Sequence, residues 1–214
     1  MRKRSQKQIG EDLDLSRYLL TPPDLPDPWN SENIFQSHAP LEFEIGSGRG
    51  LFLKNEAKNH PNRHYLGVEI SQKFSKVAAI QLAKAELTNA VIVCGDAVQV
   101  LENIFPDHFL EAVHIYFPDP WWKNKHSKRR IVCTPVVEII HQKLRPGGLF
   151  HFWTDVQPYF QKGLAAIAQV PGLEGPIEVE ESAAEHDFDY RTHFERRTRL
   201  HGNPVFRSLF IKKS

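Results

Sequence analysis

The residues with the clearest capacity for chemistry are four acids at the ends of strand-like runs: Glu44, Glu69, Asp96 and Asp119. Glu44 stands two residues before a glycine loop, Gly46-Ser-Gly48-Arg-Gly50. Glycines there let a ligand come close to the backbone, and the acid closing the next strand, Glu69, is placed to accept from both hydroxyls of a ribose. Two cofactor classes compete for such a loop. A dinucleotide fingerprint reads Gly-x-Gly-x-x-Gly, whereas this loop reads Gly-x-Gly-x-Gly. A dinucleotide also carries a pyrophosphate, which clustered carboxylates repel. S-adenosylmethionine has no phosphate and carries a sulfonium and an ammonium, so the acids favour it over NAD. Bland readings exist for each acid: Glu44 facing solvent on an edge strand, Asp96 capping a helix that starts near Ala97.

A second concentration of chemistry follows the fourth strand-like run. Pro118-Asp119-Pro120 is a restricted turn that fixes where the Asp119 carboxylate points. Trp121 and Trp122 come next, then Lys123, Lys125, Lys128, Arg129 and Arg130 with no acid among them. Aromatic rings beside a dense cationic run suit a nucleic acid, with charge on phosphates and rings near bases. Further on, Thr192-His-Phe-Glu195 sets a hydroxyl and a carboxylate three residues apart. That spacing makes either a capping box at a helix start or a pair for the base-pairing edge of a guanine.

Positioning these groups requires alternating strands and helices. Leu41–Ile45, Tyr65–Ile70, Ala90–Cys94, Ala112–Phe117, Leu149–Thr154 and Val205–Ile211 read as strands. Helical patterns lie between them: one stops near Pro61, one is capped by Ser71, one starts with Thr134-Pro135, and one runs from about Pro158 to Val170. Arg145-Pro-Gly-Gly148 turns the chain into the fifth strand. Such alternation predicts a mostly parallel α/β sheet with crossover helices. Residues 1–40 read as an arm, broken by Pro22, Pro23, Pro26, Pro28 and Pro40; residues 41–214 read as the one domain.

The chain has 214 residues, 41 % hydrophobic and 25 % charged, enough for one sizeable core. No apolar stretch approaches the roughly eighteen residues of a spanning helix. The basic opening runs into Glu11, Asp12 and Asp14 instead of a signal peptide's apolar run, so a cytoplasmic protein is expected. Cys94 and Cys133 make no disulfide scaffold and read as small buried residues. The eleven His show no metal-binding spacing, so no metal is expected. A formal net charge of +1 hides separated blocks. Residues 174–189 hold seven acids and no Lys or Arg, and residues 190–214 hold seven Lys or Arg against Glu195 alone.

Together these segments resemble the bacterial tRNA (guanine-N7-)-methyltransferases. The resemblance is carried by Glu44-Ile-Gly-Ser-Gly-Arg-Gly50, Gly67-Val-Glu-Ile70, Gly95-Asp96-Ala97, Phe117-Pro-Asp-Pro-Trp-Trp-Lys123 with its basic tail to Arg130, Thr154-Asp155 and Thr192-His-Phe-Glu195. It implies a Rossmann-like class I methyltransferase fold, with a seven-stranded sheet and helices on both faces. It further implies that Glu44, Gly46, Gly48, Gly50, Glu69, Asp96 and Asp119 hold S-adenosylmethionine, with Asp119 also catalytic. Lys123, Asp155, Thr192 and Glu195 would bind the substrate, Lys125, Lys128, Arg129 and Arg130 the tRNA backbone, and the target would be a guanine of the variable loop. Phe194 stands where the family usually has Tyr. The alternatives are a methyltransferase acting on exocyclic amines of bases, since Pro118-Asp-Pro-Trp121 is superficially similar to Asp-Pro-Pro-Trp, and a non-catalytic RNA-binding protein.

Overall fold

The computed structural model describes residues 13–121, 130–179, 184, 186 and 189–213. In chain order these form β1 (Leu19–Leu20), a 3-10 turn at Pro22–Asp24, α1 (Glu32–Phe35), β2 (Leu41–Ile45), α2 (Leu51–Asn59), β3 (His64–Glu69), α3 (Gln72–Lys84) and β4 (Ala90–Cys94). There follow α4 (Ala97–Ile104), β5 (Leu110–Tyr116), α5 (Thr134–Lys143), β6 (Leu144–Thr154), α6 (Gln157–Ile167), β7 (Leu173–Ile177), α7 (His193–Leu200) and β8 (Phe206–Lys212). The strands make one sheet in the order β1-β4-β3-β2-β5-β6-β8-β7. Pairings from β1 through β6 are parallel, whereas β8 runs antiparallel to both β6 and β7.

Alternation across the pleat makes the two faces. Phe43, Leu66, Val91, Val113, Phe150 and Phe210 point to one side, where α4, α5 and α6 cover them with residues such as Leu101, Val137, Ile140 and Ile167. Tyr65, Ile92, Tyr116 and Trp153 point to the other, against Phe52 and Leu53 of α2 and Ala78, Ala79 and Leu82 of α3. Helices therefore flank both faces, as expected. β2 pairs with β3 on one side and β5 on the other. The chain reverses its order there, and a crevice opens beyond the carboxyl ends of these strands.

The sheet has eight strands instead of seven, because the two residues of β1 add to the β4 edge. Short turns punctuate the proline-rich stretch, and Leu25 and Phe35 are buried in the core. Trp29 meets Phe105 edge-on at 4.8 Å. Three details differ from the sequence reading. β7, Leu-Glu-Gly-Pro-Ile, shows no apolar alternation and is mostly exposed, so no strand pattern announces it. Thr134, which with Pro135 after it reads in the sequence as a helix cap, is the first residue of α5, and the cap is Cys133. Arg145-Pro-Gly-Gly148 bulges within β6: Leu110 pairs with Leu144 but Ala112 with Leu149. Cys94 and Cys133 are free thiols and only partly buried.

Candidate active site

The sheet order sets the four acids side by side. Asp96, Glu69, Glu44 and Asp119 end, or follow, the adjacent strands β4, β3, β2 and β5. Glu44 does not face solvent on an edge: it is 2 % exposed on a central strand. Among the described residues its Oε2 has no hydrogen-bond partner, and neither has the buried Ser47 hydroxyl. Burial pushes the Glu44 carboxyl up to about 8, and the nearby charges of Glu69 and Glu56 add to this.

Glu69 is built into the glycine loop. Its Oε2 accepts from the Gly48 N–H at 2.9 Å and its Oε1 from the Ser71 N–H at 2.8 Å. Gly46, Gly48 and Gly50 all have φ between +54° and +79°, which L side chains rarely adopt. A Cβ on Gly46 or Gly48 would meet open space, so those two leave room for a ligand. A Cβ on Gly50 would lie 2.7 Å from the Ala78 Cβ, so this third glycine serves the packing of α2 on α3. Asp96 caps α4, its Oδ1 accepting from Val98 N–H at 2.9 Å and Gln99 N–H at 3.3 Å. Being exposed at the rim, it is also open to a ligand.

Asp119 is exposed just beyond β5. The turn that carries it departs from ordinary backbone at Phe117 (φ 50°) and Trp121 (φ 42°). Arg130 clasps the turn, donating from Nε to the Pro120 carbonyl and from Nη2 to the Trp121 carbonyl, both at 3.1 Å. Its guanidinium thus shapes the loop, a use the run of cations did not suggest. Trp122, Lys123, Lys125, Lys128 and Arg129 lie outside the described residues.

Asp155 follows β6, exposed, with its Oδ2 accepting from the Thr198 hydroxyl at 3.3 Å. Thr192 caps α7: its Oγ1 accepts from the Glu195 N–H at 3.0 Å. Glu195 is 3 % exposed. Its Oε2 accepts from the Arg191 N–H at 2.7 Å, and its Oε1 meets Arg207 Nη2 at 3.1 Å and Arg199 Nη1 at 3.4 Å. The helix-start geometry of Thr192 and Glu195 is thus present, with the carboxylate already held by cations. On the same helix Phe194 is half exposed, stacked on Phe117 at 6.3 Å, with the Arg197 guanidinium 4.9 Å from its ring centre. Burial lowers the His193 imidazole, and the positive charges of Arg49, Arg196 and Lys54 lower it further.

Sequence reasoning did not single out Ser47, Tyr116, Trp153, Arg191 or Arg207, which line or brace this rim. Behind it Glu42 Oε2 meets buried His114 Nε2 at 2.8 Å, and His114 Nδ1 meets the Tyr116 hydroxyl at 3.0 Å. Polar residues alternating into a buried sheet face were the signal available for these.

A doubly wound sheet with acids along the carboxyl rim and an open glycine loop is that of a class I methyltransferase. Solved structures agree on the fold: the 16S rRNA methyltransferase KamB superposes with a TM-score of 0.62 over 86 % of this chain and 93 % of that one, at 15 % identity. The aminoglycoside resistance methyltransferase NpmB1 gives 0.54 over 90 % and 94 %, at 19 %. A family model described as "Putative methyltransferase" matches residues 38–208. The tRNA (guanine-N(7)-)-methyltransferase of Rhodopirellula baltica is 43 % identical over 94 % of this chain and 77 % of its own length. That of Yersinia pestis (strain Pestoides F) is 38 % identical over 87 % of this chain and 78 % of its own. The chain belongs to the tRNA (guanine-N7-)-methyltransferase family, and it is an enzyme.

Proposed function

We propose that this enzyme transfers a methyl group from S-adenosylmethionine to N7 of a guanine in the variable loop of tRNA, in the cytosol. The observation that carries the reading is the row Asp96, Glu69, Glu44 and Asp119 on four adjacent strand ends, with a buried, partnerless Glu44 oxygen among them. The residues fit the methyl donor. Glu44 pairs with the ammonium, Glu69 accepts from the ribose, Asp96 reaches the adenosine end, and Gly46 and Gly48 give the space. The donor supplies an electrophilic methyl group, and its positive charge passes to the base as sulfur becomes a neutral thioether.

Guanine N7 is an unprotonated lone pair, so no strong general base is needed before attack. What remains is alignment of nitrogen with methyl and sulfur, together with electrostatic compensation as charge moves onto the ring. Asp119, beside Glu44 in the sheet order, is the acid placed to orient the reactants and balance that charge. Lys123, Asp155, Thr192 and Glu195 hold the guanine. For Glu195 this means exchanging guanidinium donors for the ring and exocyclic N–H of the base. Lys125, Lys128 and Arg129 take backbone phosphates, and Arg130 adds its charge while holding the loop. Family kinship together with the acidic rim favours this over a non-catalytic RNA-binding protein, which leaves the rim unexplained.

Labelled methyl transfer to undermethylated tRNA, followed by nucleoside mass analysis, tests the reading. Recovery of 7-methylguanosine is expected. A methylated adenine or cytosine in its place would defeat it.

A further inference from the structure

The three segments that meet at the acceptor side, Phe117–Asp119, Thr154–Asp155 and Thr192–Glu195, come from three different elements. One side chain touches the supports of all of them. Trp153, 4 % exposed, is the residue before Thr154-Asp155. Its carbonyl accepts from the Phe117 N–H at 2.8 Å, and its ring meets Tyr116 edge-on at 5.1 Å. The guanidiniums of Arg191 and Arg207 both lie over its indole, 5.2 and 5.0 Å from the ring centre. Each of those arginines also engages Glu195, Arg191 through its backbone N–H and Arg207 through Nη2. Arg191 Nη1 reaches back to the Tyr116 hydroxyl at 3.4 Å and to Glu56 of α2 at 3.7 Å.

Guanidiniums attract an aromatic face, more strongly when shielded from water. The ring therefore joins the ends of β5 and β6 to the start of α7. Among the described residues, backbone bonds join Phe117 to Trp153 and pair Trp153 with Tyr116 of β5 and Arg207 of β8, but none carries on to the start of α7. Among the described residues the indole N–H has no hydrogen-bond partner, so the face of the ring, not its polar handle, is what these neighbours use.

We propose that Trp153 is a positioning residue for methyl transfer: with Arg191 and Arg207 over its ring, it keeps Asp119, Asp155 and Thr192–Glu195 in register. The proposal rests on the tRNA-methyltransferase reading for its catalytic consequence. A displacement of about 1 Å in such a constellation costs up to about a hundredfold in rate. The acids given above to the ammonium, ribose and adenosine ends of S-adenosylmethionine, Glu44, Glu69 and Asp96, lie on β2, β3 and β4, away from the β5 and β6 ends that Trp153 joins, so affinity for S-adenosylmethionine should be kept.

The test compares Trp153→Phe with Trp153→Leu in the full chain. Trp153→Phe keeps an aromatic face and loses no hydrogen bond; it should hold kcat within about threefold of the parent. Trp153→Leu should lower kcat on tRNA at least about tenfold, with S-adenosylmethionine affinity by calorimetry unchanged. Amide hydrogen exchange at Phe117, Arg191 and Glu195 should rise together in the Leu variant and not in the Phe variant. A Leu variant with parental kcat, a Phe variant as slow as the Leu variant, or faster exchange confined to residues 152–155 would overturn the proposal. Should Trp153→Leu fail to fold, Arg207→Lys supplies the decision: it keeps a cation but loses the planar guanidinium that bonds both Glu195 and the Val205 carbonyl, so kcat should fall at constant cofactor affinity, and an unchanged kcat refutes the role. If the parent protein methylates no tRNA guanine, the substrate reading fails by itself, and the exchange pattern still decides the register claim.

Discussion

The Glu69 carboxylate accepts a hydrogen bond from the Gly48 N–H at 2.9 Å, joining the end of one strand to the glycine loop of its neighbour. The same carboxylate holds the Ser71 N–H at the start of α3. An ionised carboxylate offers about four acceptor sites, so two backbone bonds leave capacity for ribose hydroxyls. Glu69→Ala therefore removes a ligand contact and loosens the loop together. Hydrogen bonds to charged groups are worth about 1.5–3 kcal/mol each, so S-adenosylmethionine affinity should drop roughly ten- to hundredfold by calorimetry. An affinity within twofold of the parent would remove Glu69 from the cofactor site.

With Glu44 as the proposed partner of the cofactor's ammonium, cofactor affinity should depend on pH. Its folded value, about 8, lies above its ordinary 4.5. Between those values the folded protein holds a proton that the unfolded chain has lost, so this group's contribution to stability falls as pH rises from 4.5 to 8. Cofactor binding runs the opposite way. The ammonium pairs with the ionised form, so affinity should rise between pH 6 and pH 8, by up to about tenfold per unit. Calorimetry in buffers of different ionisation enthalpy should show proton release on binding near pH 7. Glu44→Gln should bind weakly with a flat pH profile; a parental profile in that variant would assign the dependence elsewhere.

Glu44 and Glu195 also mark what was legible in the sequence and what was not. β2, β3 and β4 announce themselves because short apolar runs end at glycine or acid, and the four acids follow from locating those ends. That the acids fall in one row depends on the order β4-β3-β2-β5, which the alternation of elements implies through crossover topology. The Thr192–Glu195 spacing was open to two readings. The partners of Glu195 are a backbone N–H four residues before it and guanidiniums four and twelve residues after it, and only the pairing of β8 with β6 brings the last one in. Arg130 read as one more cation, because carbonyls that turn inward under positive φ leave no trace in residue types. β7 escaped for the opposite reason: its pairing comes from backbone while Gly175 and Pro176 erase the side-chain pattern.

Gly50 and Gly46 separate fold from ligand. Both have positive φ, which costs an alanine about 1 kcal/mol or more, but only at Gly50 does a Cβ run into Ala78. Gly50→Ala should lower unfolding stability by roughly 2 kcal/mol or more in urea titrations, since α2 must shift off α3. Gly46→Ala should cost about half as much stability and, by filling the open side of the loop, a larger share of cofactor affinity. Equal stability losses in the two variants would contradict the packing role given to Gly50.

Asp119 and Glu195 should part in the same manner. Glu195 is buried with two arginines, and removing one member of such a group leaves charges without compensation. Glu195→Ala should destabilise by about 3–5 kcal/mol. Asp119 is exposed and makes no hydrogen bond or ion pair among the described residues, so Asp119→Ala should leave the melting temperature within a degree or two while kcat falls on the order of a hundredfold. A stable Asp119→Ala enzyme with near-parental turnover would take Asp119 out of the chemistry.

Arg130 and its neighbours Lys128 and Arg129 differ in kind, and salt dependence separates them. Each phosphate contact contributes about 0.7–0.9 to the slope of log affinity against log salt. Lys128→Ala with Arg129→Ala should reduce that slope for tRNA by roughly 1.4–1.8 while kcat at saturating tRNA stays near parental. Arg130 also holds the carbonyls of Pro120 and Trp121 through its guanidinium. Arg130→Lys keeps the charge but cannot offer two donors in a planar fork, so its salt slope should stay near parental and its kcat should fall as the Asp119 turn loosens. An unchanged slope in the double variant would place the backbone contacts elsewhere. An unchanged kcat in Arg130→Lys would mean that the clasp on the turn does not govern the chemistry.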